Sequence, residues 1–276
     1  MNTHNKPSFI IKPFYRWWQI DLKELWQYRD LLYFLIWREI KLRYKQTLLG
    51  ISWVIIQPFL LMVVFTLFFG KLTKLPSEGI PYPLFTYSAL LPWMLFLEGL
   101  NRSINTITQD TSLIRKVYFP RLLMPLSAVI SPLVDFGISL IIFLGLMLYY
   151  GCLPSLRILW LPVFVIFCLF ISLGCGLWFS AINVQYRDVR YAMPFIVQLW
   201  FFASPIVYPT ALLPDSWKFI YNLNPLVGVI EGFRWMLLGM ESKFFNWGLW
   251  IGITLFILVS GIFFFHYMEK SFADIV

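Results

Sequence analysis

Charge is scarce in this sequence. Of its 276 residues only 13% are Asp, Glu, Lys or Arg, while 59% are hydrophobic and 20% aromatic. A soluble domain carries about 25% charged residues and about 45–50% apolar ones. One core cannot hide so much apolar surface, so composition excludes a water-soluble enzyme or binding module and predicts an integral membrane protein. Histidine is scarcer still: His4 and His266 stand near opposite ends. Neither HExxH nor GxSxG occurs, so the convergent groups that hydrolysis or group transfer needs are not visible. The single Gly-Lys pair, Gly70-Lys71, has Phe65 where a phosphate-binding loop needs its first Gly, and Leu72 in place of Ser or Thr. That excludes nucleotide binding by this route. Cysteines number three, and Cys168 and Cys175, seven apart in an apolar run, read as small packed hydrophobes beside the isolated Cys152.

What is present in quantity is long apolar runs. Six are near the 20 residues that cross a bilayer: 51–69, 84–100, 122–149, 159–182, 191–208 and 247–267. Pro92 interrupts the second, and Pro194 and Pro205 the fifth; the third is over-long, so its Pro125–Pro132 end is expected to project. The first 30 residues are charged and Trp-rich and do not read as a signal peptide. An even number of spans puts both termini on one side. With the termini inside, inner segments hold 16 Lys and Arg and outer loops 6. The positive-inside rule therefore predicts cytoplasmic termini. The net charge of +8 is then a topology signal, and nucleic acid is not an expected partner.

Residues 14–28 read as an amphipathic helix for the headgroup layer, with Phe14, Trp18, Leu22, Leu25 and Trp26 on one face. A second cytosolic segment, 30–50, leads into span one. The outer segment 209–246 holds two apolar pieces, "SWKFIYNLNPL" and "VGVIEGFRWMLLG", too short to cross and expected to be re-entrant or interfacial helices. Within it, Glu231 and Arg234 lie three apart and are expected to pair on one face. Glu98 and Asp135 are the acids nearest the membrane. Glu98 reads as interfacial or functional, Asp135 as hydrated or paired with a base.

Aromatic residues share two spans with amides. Trp53 and Gln57 are four apart in span one; Phe195, Gln198 and Phe202 line one face of span five, beside Trp200. Rings stack on sugar faces and amides exchange hydrogen bonds with hydroxyls, which suits a conduit for glycans. Helix packing with amides as hydrogen-bonding glue is the equal alternative.

Five stretches carry a family pattern: "LRYKQTLLGISWVIIQP" (42–58), "LIRKVYFPRLLMP" (113–125), "GLWFSAINVQYRDVRY" (176–191), "SPIVYP" (204–209) and "NPLVGVIEGFR" (224–234). In these the chain resembles the membrane subunit of type-2 ABC exporters, in the branch moving O-antigen, capsule and teichoic acid. The resemblance implies an all-α, six-span permease with an N-terminal interface helix and short outer gate helices. Residues 1–50 would be cytosolic or interfacial and 51–276 the transmembrane domain, with a coupling loop at 101–121 and an outer gate region at 209–246.

It further implies a homodimer in the bacterial inner membrane, paired with two copies of a cytosolic ATPase that binds the ATP and magnesium; this chain would hold no cofactor and be no enzyme. The cargo would be an undecaprenyl-linked glycan. A teichoic acid, capsule, drug or small-lipid exporter is the first alternative, and a membrane-embedded glycosyl- or acyltransferase the second. A coupling helix at about 104–119 would place Ile107, Arg115, Lys116, Tyr118, Pro120 and Arg121 toward the ATPase. Pro120 would end that helix. Arg187 and Asp188 would form a second contact. Spans one and five would line the path through Trp53, Gln57, Phe195, Gln198, Trp200 and Phe202, and Asn224, Pro225, Glu231 and Arg234 would shape the outer gate.

Overall fold

The computed structural model describes residues 22–45, 50, 52–110, 113, 116, 118–186, 188–241 and 246–275. Regular structure among them is helical: α1 (Leu22–Gln27), α2 (Arg29–Lys45), α3 (Ser52–Phe65), α4 (Tyr82–Gln109), α5 (Leu123–Ile130), α6 (Leu133–Tyr149), α7 (Leu161–Gln185), α8 (Val189–Phe202), α9 (Asp215–Asn222), α10 (Pro225–Leu238) and α11 (Trp247–Ile275). Most of the expected interface helix lies outside the described residues; its end is α1.

Among the described residues, four segments are long and apolar enough to cross a membrane: Ser52–Leu72, Leu123–Tyr149, Leu156–Gln185 and Trp247–Lys270. They coincide with the first, third, fourth and sixth expected spans. The second expected span is α4, 28 residues long and polar over its last turns; the fifth is α8, 14 residues. The break in the third falls at Ser131–Pro132, between α5 and α6. Proline there has no N–H to continue the ladder. After α3 the chain widens into a π-helical segment, Thr66–Leu72, which brings Gly70 against the ring of Tyr82.

The core runs along α4 and α7, with Leu84, Phe96, Phe143, Cys168 and Phe233 fully buried. Outward faces stay apolar, as at Ile141, Leu148 and Phe256, which is the pattern of surface solvated by lipid. Without a hydrophobic drive between helices in lipid, close backbone approach and hydrogen bonds hold them. A Cβ on Gly261 of α11 would lie 2.4 Å from the Gly174 carbonyl oxygen of α7, so only glycine permits this crossing. The Asn183 amide donates to the Ile104 carbonyl at 3.0 Å, and Trp178 Nε1 to Ser260 Oγ at 3.1 Å. Cys168 and Cys175 are buried thiols in this packing.

The bundle has two ends. At the near end a second cluster gathers Leu35, Ile107, Phe119, Leu123, Val184 and Phe272. The far end holds the turns after α3, α6, α8 and α10.

Candidate functional site

Helix α2 is built inside out. Leu35, Glu39 and Arg43, spaced i, i+4 and i+8, face the protein, while Tyr33, Phe34 and Trp37 are exposed. Arg38, Glu39 and Arg43 turned inward and aromatics outward suit a helix whose outer face meets lipid headgroups, where Arg29, Asp30, Lys41 and Lys45 stay exposed. Three arginines meet four carboxylates there. Arg38 donates to Asp110 just past the end of α4 and lies 3.3 Å from Glu39. Arg43 donates to Asp135 at the start of α6 and sits 3.3 Å from Glu98. Arg102 lies 3.4 Å from Glu98 and 3.6 Å from Glu39. Tyr44 completes the cluster by donating its hydroxyl to Asp135.

Burial works against the charge on Arg38, but the Asp110 and Glu39 carboxylates outweigh it and hold its pKa above the ordinary guanidinium value. Burial and then the bond to Asp135 push the Tyr44 phenol up to about 12. Partly buried pairs of this kind are screened less than surface ones. The cluster pins α2 to both α4 and α6. Asp135 is thus paired with a base, as expected, and Glu98 belongs to the same network.

A crevice of about 40 Å3, room for a few waters, opens between α3, α4 and α6; Trp53, Gln57, Glu98 and Asp135 are among its walls. The amide and ring of α3 therefore stand beside the two acids. On α8, Phe195, Gln198 and Phe202 are exposed in the single chain. Trp200 differs from them. Its Nε1 donates to Asn224 Oδ1 at 2.9 Å and its ring meets Phe96 edge-on at 5.0 Å. It is a packing residue that turns away from the face its neighbours share.

The segment expected to form a separate coupling helix is divided. Residues 104–109 continue α4 without a break, and Ile107 is fully buried among Leu35, Phe119 and Leu123. Its side chain shapes the bundle and has no surface to offer a partner. Lys116 and Tyr118 are exposed, and Pro120 follows the buried Phe119. Burial, then Glu24 and Glu269, raises the Tyr118 pKa. Arg121 turns inward: Nη1 donates to the Glu269 carbonyl at 2.8 Å, and the guanidinium lies 6.0 Å from the Phe272 ring. It ties this segment to α11. Asp188 is exposed, and its carbonyl accepts from the Tyr191 and Ala192 amides at the start of α8. Arg115 and Arg187 lie outside the described residues.

At the far end, Asn224 caps α10. Its Oδ1 accepts from Leu226 N and Trp200 Nε1, and its Nδ2 donates to the Ala203 carbonyl and Ser204 Oγ. Pro225 occupies the first helical position, where a missing N–H costs nothing. Its carbonyl accepts from Trp250 Nε1 at 2.7 Å. Glu231 and Arg234 pair at 3.1 Å as their spacing predicts, and Arg234 is completely buried. The guanidinium also donates to the Ile206 carbonyl at 3.1 Å and lies 3.7 Å from the centre of the Phe85 ring. Gly239, with φ of +73°, ends α10 in the left-handed conformation glycine adopts freely.

Sequence reasoning missed the α2 cluster. Its signal was present in "WREIKLRY", where Arg38, Glu39 and Arg43 stand among aromatics just before a span.

Long lipid-facing helices, an inside-out helix at one end and a buried ion pair at the other define a multi-pass membrane protein. The particular family follows from comparison: the chain belongs to the ABC-2 type transporter family, whose pattern matches residues 30–238. It is 34% identical over 216 residues to the "O-antigen export system permease protein RfbA" of Myxococcus xanthus, covering 77% of this chain and 82% of that one. A protein of the same description from Klebsiella pneumoniae is 28% identical over 249 residues, 90% of this chain and 95% of the relative. The "Polysialic acid transport protein KpsM" of Escherichia coli is 25% identical over 204 residues, 70% and 76% of the two chains.

Proposed function

We propose that this chain is the permease subunit of an ABC transporter that exports a lipid-linked polysaccharide of the O-antigen type. The observation that carries the reading is the likeness to the Myxococcus and Klebsiella O-antigen export permeases, which extends over 82% and 95% of those proteins. Membership of the ABC-2 family implies an ATPase partner in the same transporter. In this reading that partner is a separate cytosolic subunit present in two copies, binds the ATP and magnesium, and works on a homodimer of this chain. The near end, with its excess of Lys and Arg, is cytoplasmic, so both termini are inside and the membrane is the bacterial inner membrane. The coupling contacts would then come from the exposed Lys116, Tyr118 and Asp188, together with Arg115 and Arg187.

The physical support lies on α3 and α8. Gln57 and Gln198 are exposed in the single chain beside Trp53, Phe195 and Phe202. An amide facing hydrocarbon leaves its hydrogen bonds unmade, at a cost of several kcal/mol on transfer to alkane, about 4–8 by that scale. These faces fit a polar path between two copies better than a lipid contact. An undecaprenyl-linked glycan would stack on the rings and bond to the amides there. Co-reconstitution with the ATPase encoded beside this chain tests the reading: the pair should form a complex with stimulated ATP hydrolysis. Neither complex nor stimulation would end it.

A further inference from the structure

Helix α8 is held most firmly at one end. Along its length it buries only Met193 and Val197 against the core, while Tyr191 is 81% exposed and Phe195 64%, near its start. The turn that follows it is the reverse, with Ser204, Ile206 and Val207 no more than 5% exposed. Three residues of two elements, α4 and α10, grip that turn. The Tyr82 hydroxyl at the start of α4 donates to the Val207 carbonyl at 2.6 Å. Arg234 of α10 donates to the Ile206 carbonyl at 3.1 Å. Asn224 donates to the Ala203 carbonyl at 3.2 Å and to Ser204 Oγ at 3.0 Å, while Trp200 returns a bond to Asn224 at 2.9 Å.

The elements that grip are themselves fixed. Gly228 and Gly232 of α10 pack against Trp250 and Phe164, too closely for a Cβ, and α4 is bonded to α7 through Asn183 and to α2 through the ion cluster. Arg234 is an expensive way to fill this position. A buried guanidinium needs its charge and donors met, and apolar side chains of similar volume often serve stability as well. Its Nε has no acceptor in this arrangement. What the guanidinium does that an apolar side chain cannot is bind one backbone carbonyl at a fixed place while stacked on Phe85 of α4.

We propose that the turn at residues 203–207 is the pivot of α8, and that Arg234, with Tyr82 and Asn224, is its positioning residue. Helix α8 swings about its far end, so the path opens at the near end around Tyr191 and Phe195 while the far end stays in register with α4 and α10. This rests on the export reading, which supplies the motion.

The geometry fixes a ratio. At 1.5 Å per residue, Tyr191 lies about 20 Å from residue 204 and Phe202 about 3 Å, so a rotation displaces them in a ratio of about six to one. The test uses the full complex with its ATPase in lipid. The chain carries Cys152→Ser, Cys168→Ala and Cys175→Ala, with spin labels at Phe256→Cys on α11 and at either Tyr191→Cys or Phe202→Cys, diluted with unlabelled chain. Trapping with ATP should change the 191–256 distance several times more than the 202–256 distance. Tyr82→Phe, and separately Arg234→Met with Glu231→Leu, should bring the two changes towards equality and reduce export. Equal changes in the unaltered grip would overturn the pivot alone, as would variants that fold yet keep the full gradient. No nucleotide-dependent change at either position would contradict the pivot and the export reading together.

Discussion

Replacing Arg43 by Met tests the α2 cluster most sharply. Arg43 touches Asp135 and Glu98 from a different helix than either, and the three side chains are 26%, 12% and 32% exposed. Exposed pairs contribute about 0–1 kcal/mol, and breaking a fully buried one costs about 3–5 kcal/mol. The intermediate burial here places the loss at about 2 kcal/mol. Most of it is the penalty of leaving Asp135 with only the Tyr44 hydroxyl as donor. Asp135→Asn removes that penalty, so the double variant should be less destabilised than the sum of the singles by about 1 kcal/mol. SDS titration of the purified chain in mixed micelles, followed by tryptophan fluorescence, measures the cycle. An Arg43→Met loss below about 0.5 kcal/mol, or strict additivity, would refute the cluster as a clamp.

Other consequences follow from single contacts. The folded Tyr44 pKa is raised from 10 to about 12, so its contribution is fully present below pH 10 and is lost as pH rises towards 12; Tyr44→Phe should flatten the stability profile in that window. Gly261→Val pushes a side chain into the Gly174 carbonyl, and overpacking there should cost about 1–3 kcal/mol or more in the same titration; no loss would mean the two helices do not cross as described. Asn224→Ala removes the cap of α10 and the bond from Trp200, with an expected loss of about 2 kcal/mol. A loss confined to a few tenths would show that water replaces the amide.

Local signals were legible where a residue acts on its own neighbourhood. Pro132 broke the third span, the Asn224-Pro225 pair divided the far-end segment into α9 and α10, and Glu231 met Arg234 at its helical spacing. The end of α4 was not legible. Arg102, Ser103, Asn105 and Thr106 look like loop residues because they are polar, yet Ser103 and Thr106 are buried against other helices and Arg102 is paired. That requires knowing that α2 and α7 lie alongside. Arg121 likewise reads as a surface cation until Glu269 and Phe272, about 150 positions further on, are brought next to it. Composition sees polarity; only the fold supplies the partner.

A permease of this kind carries a polysaccharide through the membrane. Proteoliposomes holding the chain and its ATPase, loaded on one leaflet with an undecaprenyl-linked glycan, measure this directly when lectin access is followed on the other side. Lectin-accessible glycan that grows with ATP, and fails to grow with a hydrolysis-dead ATPase, is the predicted result. An assembled, hydrolysing complex that moves no glycan, while transporting a drug or small lipid, would contradict it.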